Sequence, residues 1–122
     1  MPNAQPSRTE VLRGTLDLMV LQTLVSLGPS HGYAIAARLE QVSGGALVLN
    51  MGTLYPALMR LEQRGLVRGR WGTTEKNRRA RFYGITPAGR RHVAAEKRGL
   101  DRMVSIIDAL FQEPAATASG RH

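Results

Sequence analysis

The sequence has no cysteine among its 122 residues, and only three histidines. Without cysteine there is no disulfide framework, no cysteine-ligated zinc and no cysteine nucleophile, so the fold depends on packing and association alone. The histidines His31, His92 and His122 are scattered along the chain and are not paired with a nucleophile. No glycine-rich phosphate loop and no metal-ligand spacing occurs. We therefore expect no enzymatic activity, no metal and no cofactor.

Long apolar runs are also missing. No segment approaches the roughly 18 consecutive apolar residues that a membrane span needs. Residues 1–11 lack the apolar region that a signal peptide requires. The sequence thus predicts a cytoplasmic protein without a membrane partner.

Acidic residues are few, and the basic residues are concentrated in one part of the chain. Lys and Arg total 17 against 9 Asp and Glu, a formal charge of +8. Residues 60–102 hold 13 of the basic and 4 of the acidic residues, a local net charge of +9, while the rest of the chain carries −1. Such a charge suggests a polyanion or an acidic membrane surface as partner. Fifteen of the 17 basic residues are Arg, which favours contact with phosphate.

Apolar residues at helical spacing predict three helices in the first half of the chain. The first begins at Leu12 and ends before the Gly28-Pro29 pair, and Ser30 is the predicted N-cap of the second. The third includes Pro56 in its early part, with Thr53 favoured as its N-cap and Asn50 as a competitor.

The second half of the chain predicts a β-hairpin followed by a long helix. The β-prone segments 66–71 and 81–86 are joined by residues 72–79, which give the hairpin a basic tip. Thr86 and Pro87 open a helix of about 26 residues that ends near Gln112 and is roughly 39 Å long. The order α-α-α-β-β-α indicates a mainly α fold of the α+β class, the winged helix-turn-helix, in which the third helix enters the DNA major groove.

One apolar stripe of the last helix is a predicted dimerisation surface. Residues recur along it at spacings of three and four, namely Leu100, Met103, Ile107 and Leu110, with Val104 and Phe111 at the sides. A helix this long cannot bury its whole apolar face within so small a chain, which predicts a homodimer. The alternative is that the stripe packs on the first helix of its own chain. Both can be true, because a swapped last helix packs on the first helix of the partner. The predicted organisation is a disordered tail over 1–11, the winged domain over 12–86, the dimerisation helix over 87–112 and a second disordered tail over 113–122.

Basic residues fall on the two elements that a winged helix brings to DNA. Arg60 and Arg64 lie one turn apart on the third helix, and Lys76, Arg78 and Arg79 cluster at the predicted hairpin tip. A solvated basic face is the competing interpretation, but this placement favours DNA contact. The alternative function is a small basic RNA- or ribosome-associated protein. Only 5% of the residues are aromatic, fewer than a stacking platform for unpaired bases would need.

An ordered set of motifs over residues 12–112 resembles the PadR family of transcriptional regulators. The matching segments are Leu12-Arg13-Gly14-Thr15-Leu16, His31-Gly32-Tyr33, Gly52-Thr53-Leu54-Tyr55-Pro56-Ala57-Leu58 followed by Leu61-Glu62, Gly65-Leu66-Val67 and Arg79-Ala80-Arg81-Phe82-Tyr83-Gly84-Ile85-Thr86-Pro87-Ala88-Gly89. The resemblance is to the short form of the family, with one C-terminal dimerisation helix. It implies a bacterial homodimer, in most cases a repressor, that binds an inverted-repeat operator in double-stranded DNA. Some members release DNA when a phenolic or hydrophobic small-molecule effector binds.

The resemblance also places Gly52, Thr53 and Tyr55 at the start of the recognition helix, where backbone N–H groups, a hydroxyl and a phenol can meet phosphate. For Tyr55 a place in the core is an equal alternative. The full predicted DNA-binding set is Asn50, Gly52, Thr53, Tyr55, Arg60, Arg64, Lys76, Arg78 and Arg79.

Overall fold

The computed structural model describes residues 5–114, with side chains described from Gly14 onward. Its elements are α1 (Gln5–Leu27), β1 (Ser30–His31), α2 (Gly32–Val42), α3 (Met51–Gln63), β2 (Val67–Thr73), β3 (Arg79–Ile85) and α4 (Pro87–Gln112). The strands form an antiparallel sheet in the order β1-β3-β2. The predicted winged-helix architecture is confirmed, with one short strand added to it. We call β2, the turn 74–78 and β3 together the wing.

The first helix begins earlier than the sequence predicts. It starts at Gln5 instead of Leu12, so residues 5–11 of the predicted disordered tail are helical. Pro6 lies in the first turn of α1, where its missing N–H removes no helical hydrogen bond. Residues 1–4 and 115–122, which make up most of the rest of the two predicted tails, lie outside the described residues.

The short strand β1 was not predicted, and it changes the cap of α2. Ser30 and His31 pair with Tyr83 and Phe82 of β3. Because Ser30 belongs to the sheet, His31 is the N-cap instead, and its Nδ1 accepts a hydrogen bond from the N–H of Ala34 at 3.4 Å. The His31 ring also packs edge-on against Phe82, with ring centroids 5.3 Å apart. This end of α2 is thereby attached to the wing.

The core lies among the first three helices and the inner end of the sheet. Its largest fully buried side chains come from α1, α2 and α3, namely Val20, Leu21, Leu24, Ile35, Leu54, Leu58 and Leu61. Val67 and Tyr83 extend this cluster onto the wing. On α2, Tyr33 and Val42 are 68% and 70% exposed. This short helix packs mainly through Ile35 and Leu39.

The junction between the wing and α4 is tightly fitted. Thr86 is the predicted N-cap of α4: its Oγ1 accepts a hydrogen bond from the N–H of Gly89 at 3.0 Å. The same hydroxyl donates to the carbonyl of Gly65 at 2.7 Å, and the Thr86 N–H donates to the carbonyl of Leu66 at 3.1 Å. A Cβ at Gly89 would overlap that Leu66 oxygen. Gly89 is therefore required by packing.

The last helix has the predicted length of 26 residues, from Pro87 to Gln112. Ala88 and Val93 pack against the core near its start. From Leu100 to the end of α4 every side chain is exposed in the single chain. Among the described residues, no helix combines the length and hydropathy needed to cross a membrane.

Candidate nucleic-acid interface

The third helix begins with Asn50 as its N-cap, so the preference for Thr53 is wrong. The Asn50 Oδ1 accepts a hydrogen bond from the N–H of Thr53 at 2.9 Å. Pro56 lies inside the helix, and because it has no N–H it leaves the Gly52 carbonyl without its usual helical partner. Starting at Met51 puts Pro56 in the second turn, so the helix loses a single hydrogen bond. Asn50, Gly52 and Thr53 are all exposed at this end of α3.

The exposed face of α3 carries an uncharged stripe. Tyr55, Met59 and Gln63 follow one another at spacings of four, on the side opposite the buried leucines. Met59 is 57% exposed and Tyr55 37%. Met59 and Gln63 are not among the predicted site residues, because neither is charged and neither belongs to the matched family motif. Their spacing from Tyr55, out of phase with Leu54, Leu58 and Leu61, was the signal that could have found them.

Arg60 lies at the flank of this face and has a partner that the sequence did not predict. Its Nη2 donates to Oδ1 of Asp17 on α1 at 2.9 Å. The Asp17 side chain is nearly buried, and the Arg60 Nε is buried without a hydrogen-bond partner among the described residues. Arg64, the C-cap of α3, is exposed. The two arginines therefore differ: one is part of an ion pair between helices, and the other is at the surface.

Tyr55 is partly packed against α2 and partly exposed. A Cβ built on Gly32, the first residue of α2, would lie 3.0 Å from the Tyr55 hydroxyl oxygen, so the ring packs closely on the start of that helix. Part of the same ring stays accessible beside the wing. Tyr55 thus joins α3 to α2 while the residue as a whole remains 37% exposed.

The wing is longer than predicted, and this moves Arg79 away from the tip. The strands pair as far as Thr73 with Arg79, so Arg79 belongs to β3. The tip is the turn 74–78, closed by a hydrogen bond from the Thr74 N–H to the Arg78 carbonyl at 2.8 Å, with Asn77 at a φ of 60°. Lys76 and Arg78 are exposed there, as predicted.

A cluster of aromatic and charged side chains occupies the face of the wing that looks toward α3. The Arg79 guanidinium lies 4.9 Å from the centroid of the Trp71 ring, and that of Arg81 lies 5.8 Å from it. The Arg81 Nη2 also donates to Oε2 of Glu62 on α3 at 2.8 Å, and the same oxygen accepts from the Gly69 N–H at 3.2 Å. Trp71, Arg81 and Glu62 were not predicted as site residues. The alternation of Arg79, Arg81 and Tyr83 along one strand was the available signal.

Tyr83 lies beneath this cluster. Burial raises the pKa of its phenol above the ordinary value of 10.0, the positive charge of Arg81 opposes the rise, and the Glu62 carboxylate adds to it. The phenol is therefore uncharged near neutral pH, and it supports Arg81 as an apolar surface, with the guanidinium 5.9 Å from its ring.

A groove of about 770 Å³ separates the wing from the starts of α2 and α3. Tyr33 and Tyr55 line one side, and the wing supplies Trp71 and its basic residues Lys76, Arg78, Arg79 and Arg81. Of the predicted DNA-binding residues the structure gathers Tyr55, Lys76, Arg78 and Arg79 around this groove. Asn50, Gly52, Thr53, Arg60 and Arg64 do not line it. No cluster of three metal-ligating side chains occurs within the part of the chain that the structure describes.

The six residues of the predicted dimerisation stripe lie together on one side of α4. Leu100, Met103, Val104, Ile107, Leu110 and Phe111 are between 43% and 85% exposed in the single chain. Ile106, 49% exposed, was not predicted and extends the apolar surface to one side. Together these side chains form a continuous exposed apolar face on α4.

Comparison with known families supports this architecture. The family model described as "Transcriptional regulator PadR-like family" matches residues 20–95, which is more than half of the chain. The chain belongs to the PadR-like family. The family match includes all of α2, α3 and the wing, and ends within α4.

Solved structures of PadR-like and other regulators share this fold. A transcriptional regulator from Clostridium thermocellum is 29% identical, with a TM-score of 0.72 over 82% of this chain and 96% of that chain. A PadR family transcriptional regulator from Eggerthella lenta is 27% identical, with a TM-score of 0.72 over 88% of this chain and 92% of that one. Both alignments extend beyond the residues of the family match, so the agreement includes parts of α1 or α4.

A curated relative from Streptomyces fradiae, described as an uncharacterized 37.1 kDa protein in transposon TN4556, is 44% identical over an alignment of 111 residues. The alignment covers 81% of this PadR-like chain and 30% of the length of that relative.

Proposed function

We propose that this PadR-like protein binds double-stranded DNA sequence-specifically, as a homodimer that represses transcription from an inverted-repeat operator in the bacterial cytoplasm. The observation that carries the proposal is the placement of an exposed, mostly uncharged helix face beside a basic wing, with one groove between them. Base edges in the major groove are read by uncharged hydrogen-bonding and apolar side chains as well as by Arg, and phosphates are held by cations. In this protein the exposed face of α3 is mostly uncharged, as base reading allows, and the wing is basic, as phosphate binding requires.

The stripe of Tyr55, Met59 and Gln63 is the base-reading surface in this proposal. A glutamine amide pairs with adenine in two hydrogen bonds, and an apolar side chain contacts the thymine methyl group. Asn50, Gly52 and Thr53 contact phosphate beside it through the Asn50 amide N–H groups, the Gly52 N–H and the Thr53 hydroxyl, since the Thr53 N–H already donates to Asn50 Oδ1 and the helix start favours an anion. Arg64 contacts the backbone from the other end of α3. Arg60 orients α3 through Asp17, and its remaining N–H groups contact phosphate.

The wing supplies the main electrostatic attraction. Lys76, Arg78 and Arg79 each neutralise a phosphate, which releases counterions and makes binding dependent on salt. The turn holding Lys76 and Arg78 is closed by hydrogen bonds, so these cations project from a defined loop.

The exposed stripe of α4 is the proposed dimer interface. Two copies joined through these helices present two α3 helices to successive major grooves, about 34 Å apart along the DNA, and this spacing is the geometric basis for an inverted-repeat operator. A dimer bound across a promoter blocks polymerase, which is the simplest route to repression. A small-molecule effector that releases the DNA follows from the family resemblance.

The deciding experiment is enrichment of random duplexes on the purified protein, followed by fluorescence anisotropy on the enriched duplex, a permuted duplex and single-stranded RNA. We expect an enriched palindrome bound at least 1,000-fold more tightly than the permuted sequence. Gln63→Ala is expected to lose about 1–3 kcal/mol of that discrimination, whereas Gln41→Ala, an exposed glutamine on α2 away from the groove, leaves it unchanged. Equal affinity for every duplex, or preference for the RNA, contradicts the proposal.

A further inference from the structure

We propose that Trp71 is a positioning residue that holds the Arg79 guanidinium in place to bind one DNA phosphate at the groove. The inference rests on the proposed DNA-binding function and adds to it a specific pair of residues. Its ligand is a phosphodiester group of duplex DNA.

The two arginines of β3 that face the groove are in different electrostatic states. Arg81 donates to Glu62, so its charge is balanced and its side chain is fixed to α3. Arg79 is exposed and has no carboxylate partner among the described residues; its contact is the Trp71 ring, 4.9 Å away. Arg79 is therefore the uncompensated cation at this place on the wing.

The pairing of the strands puts Trp71 where it can orient Arg79. Trp71 lies opposite Arg81, and Arg79 lies opposite Thr73, so the ring and both guanidinium groups share one face of the hairpin. Trp71 remains 57% exposed and lines the groove across from Tyr55. A guanidinium stacked on an indole face keeps its edge N–H groups free to donate. Those N–H groups are what a phosphate accepts from.

The stack reduces the entropic cost of binding. A free Arg side chain has many rotamers, and holding it in one conformation on DNA opposes association. The indole restricts those rotamers before DNA arrives. The bond from Arg81 to Glu62 and the hydrogen bond from Gly69 to the same carboxylate fix the wing against α3. Arg79 thus has a defined distance from the base-reading helix.

The first test needs no DNA, because Trp71 is the only tryptophan in the chain. Removing a stacked cation changes the environment of the indole, so Arg79→Ala is expected to shift the tryptophan emission or its quenching by neutral acrylamide. Arg78→Ala, which removes the neighbouring charge at the tip, leaves both unchanged. Identical spectra for wild type and Arg79→Ala would show that the stack is absent in solution.

The second test measures how operator affinity depends on salt for wild type, Trp71→Leu, Trp71→Phe, Arg79→Ala and the Trp71→Leu/Arg79→Ala double variant. Losing one phosphate contact from each protomer lowers the log–log slope by about 0.9 per protomer, or about 1.8 for the dimer. For Arg79→Ala we expect this reduction of the slope and about tenfold weaker operator binding. Trp71→Leu lowers both the slope and the operator affinity, and Trp71→Phe restores most of both because it keeps an aromatic face.

The double variant is expected to bind like Arg79→Ala, because both changes remove the same contact. Arg70→Ala is the matched control: it removes an exposed arginine from the opposite face of β2 and leaves the slope near that of wild type. A Trp71→Leu protein that folds and keeps the wild-type slope overturns the inference, and so do fully additive losses in the double variant. A wild type that binds no duplex at all refutes the proposed function instead.

Discussion

Arg60 lies on α3 one turn before Arg64, yet its guanidinium contacts Asp17 on α1 at 2.9 Å. The spacing of the two arginines could be counted in the sequence, but the pairing with a residue 43 positions away could not. It depends on the packing of α1 against α3. A charged side chain indicates a partner of opposite sign, and only the fold shows whether that partner lies within the same chain.

The ion pair between Asp17 and Arg60 is expected to stabilise the fold more than a surface pair does. Asp17→Asn leaves a half-buried guanidinium without its counter-charge, and we expect a loss of about 1–3 kcal/mol in the free energy of unfolding. Asp101→Asn is the control, because it breaks the exposed pair with Lys97 at 2.7 Å and is expected to cost no more than about 0.5 kcal/mol. Urea unfolding of the two variants checks the difference, and equal losses would contradict it.

Tyr83 is expected to make the fold sensitive to alkali. Its pKa is raised in the folded chain, so the folded state holds the phenolic proton more tightly than the unfolded state does. That contribution is fully present below the unfolded pKa of about 10 and is lost as the pH rises from there through the higher folded pKa. Tyr83→Phe has no proton to lose, so its unfolding free energy should fall less steeply above pH 10. Parallel pH profiles for the two proteins would disprove this.

At the scale of elements, the sequence predicted well those parts whose signals are local. Thr86 and Pro87 mark the start of α4, the stop at Gly65 ends α3, and the two β-prone segments form the hairpin. It failed for β1, whose two residues are a strand only because β3 lies alongside. The same pairing shifts the cap of α2 from Ser30 to His31, whereas at α3 the cap is Asn50, the competitor of the favoured Thr53. In the candidate site the sequence predicted the basic residues at the tip of the wing but not Met59 and Gln63.

The junction of β2 and α4 gives a sharp test of element packing. Gly89→Ala puts a methyl group against the Leu66 carbonyl, which is backbone and cannot rotate away. We expect a loss of about 1–3 kcal/mol in unfolding free energy, read by thermal or urea denaturation. Gly99→Ala, on the same helix with nothing within 4 Å of the added Cβ, should instead gain about 0.5–1 kcal/mol. Similar effects of the two changes would show that the junction is not tightly packed.

At the scale of the whole molecule, the outer half of α4 has little to pack against within its own chain. Its exposed face includes Ile107 and Leu110, near the middle of the predicted dimerisation stripe. In the proposed dimer, burial of the apolar area that these side chains leave in water would drive association.

Charge in that stripe is expected to separate the protomers. Ile107→Asp and Leu110→Asp should each give monomers in multi-angle light scattering and weaken operator binding by at least 100-fold, because a buried carboxylate has no partner there. Ser105→Asp adds the same charge on the opposite side of α4 and should remain dimeric. A dimer that persists in both stripe variants would place the interface elsewhere.

The hydrogen bonds of Thr86 to Gly65 and Leu66 make the base of the wing and the first turn of α4 one rigid piece. In a dimer joined through α4, the angle at which the two long helices cross therefore sets the distance between the two wings. A molecule bound between those helices would change their crossing angle and with it the distance between the two wings. Such a molecule could abolish operator recognition without approaching any residue that touches the nucleic acid.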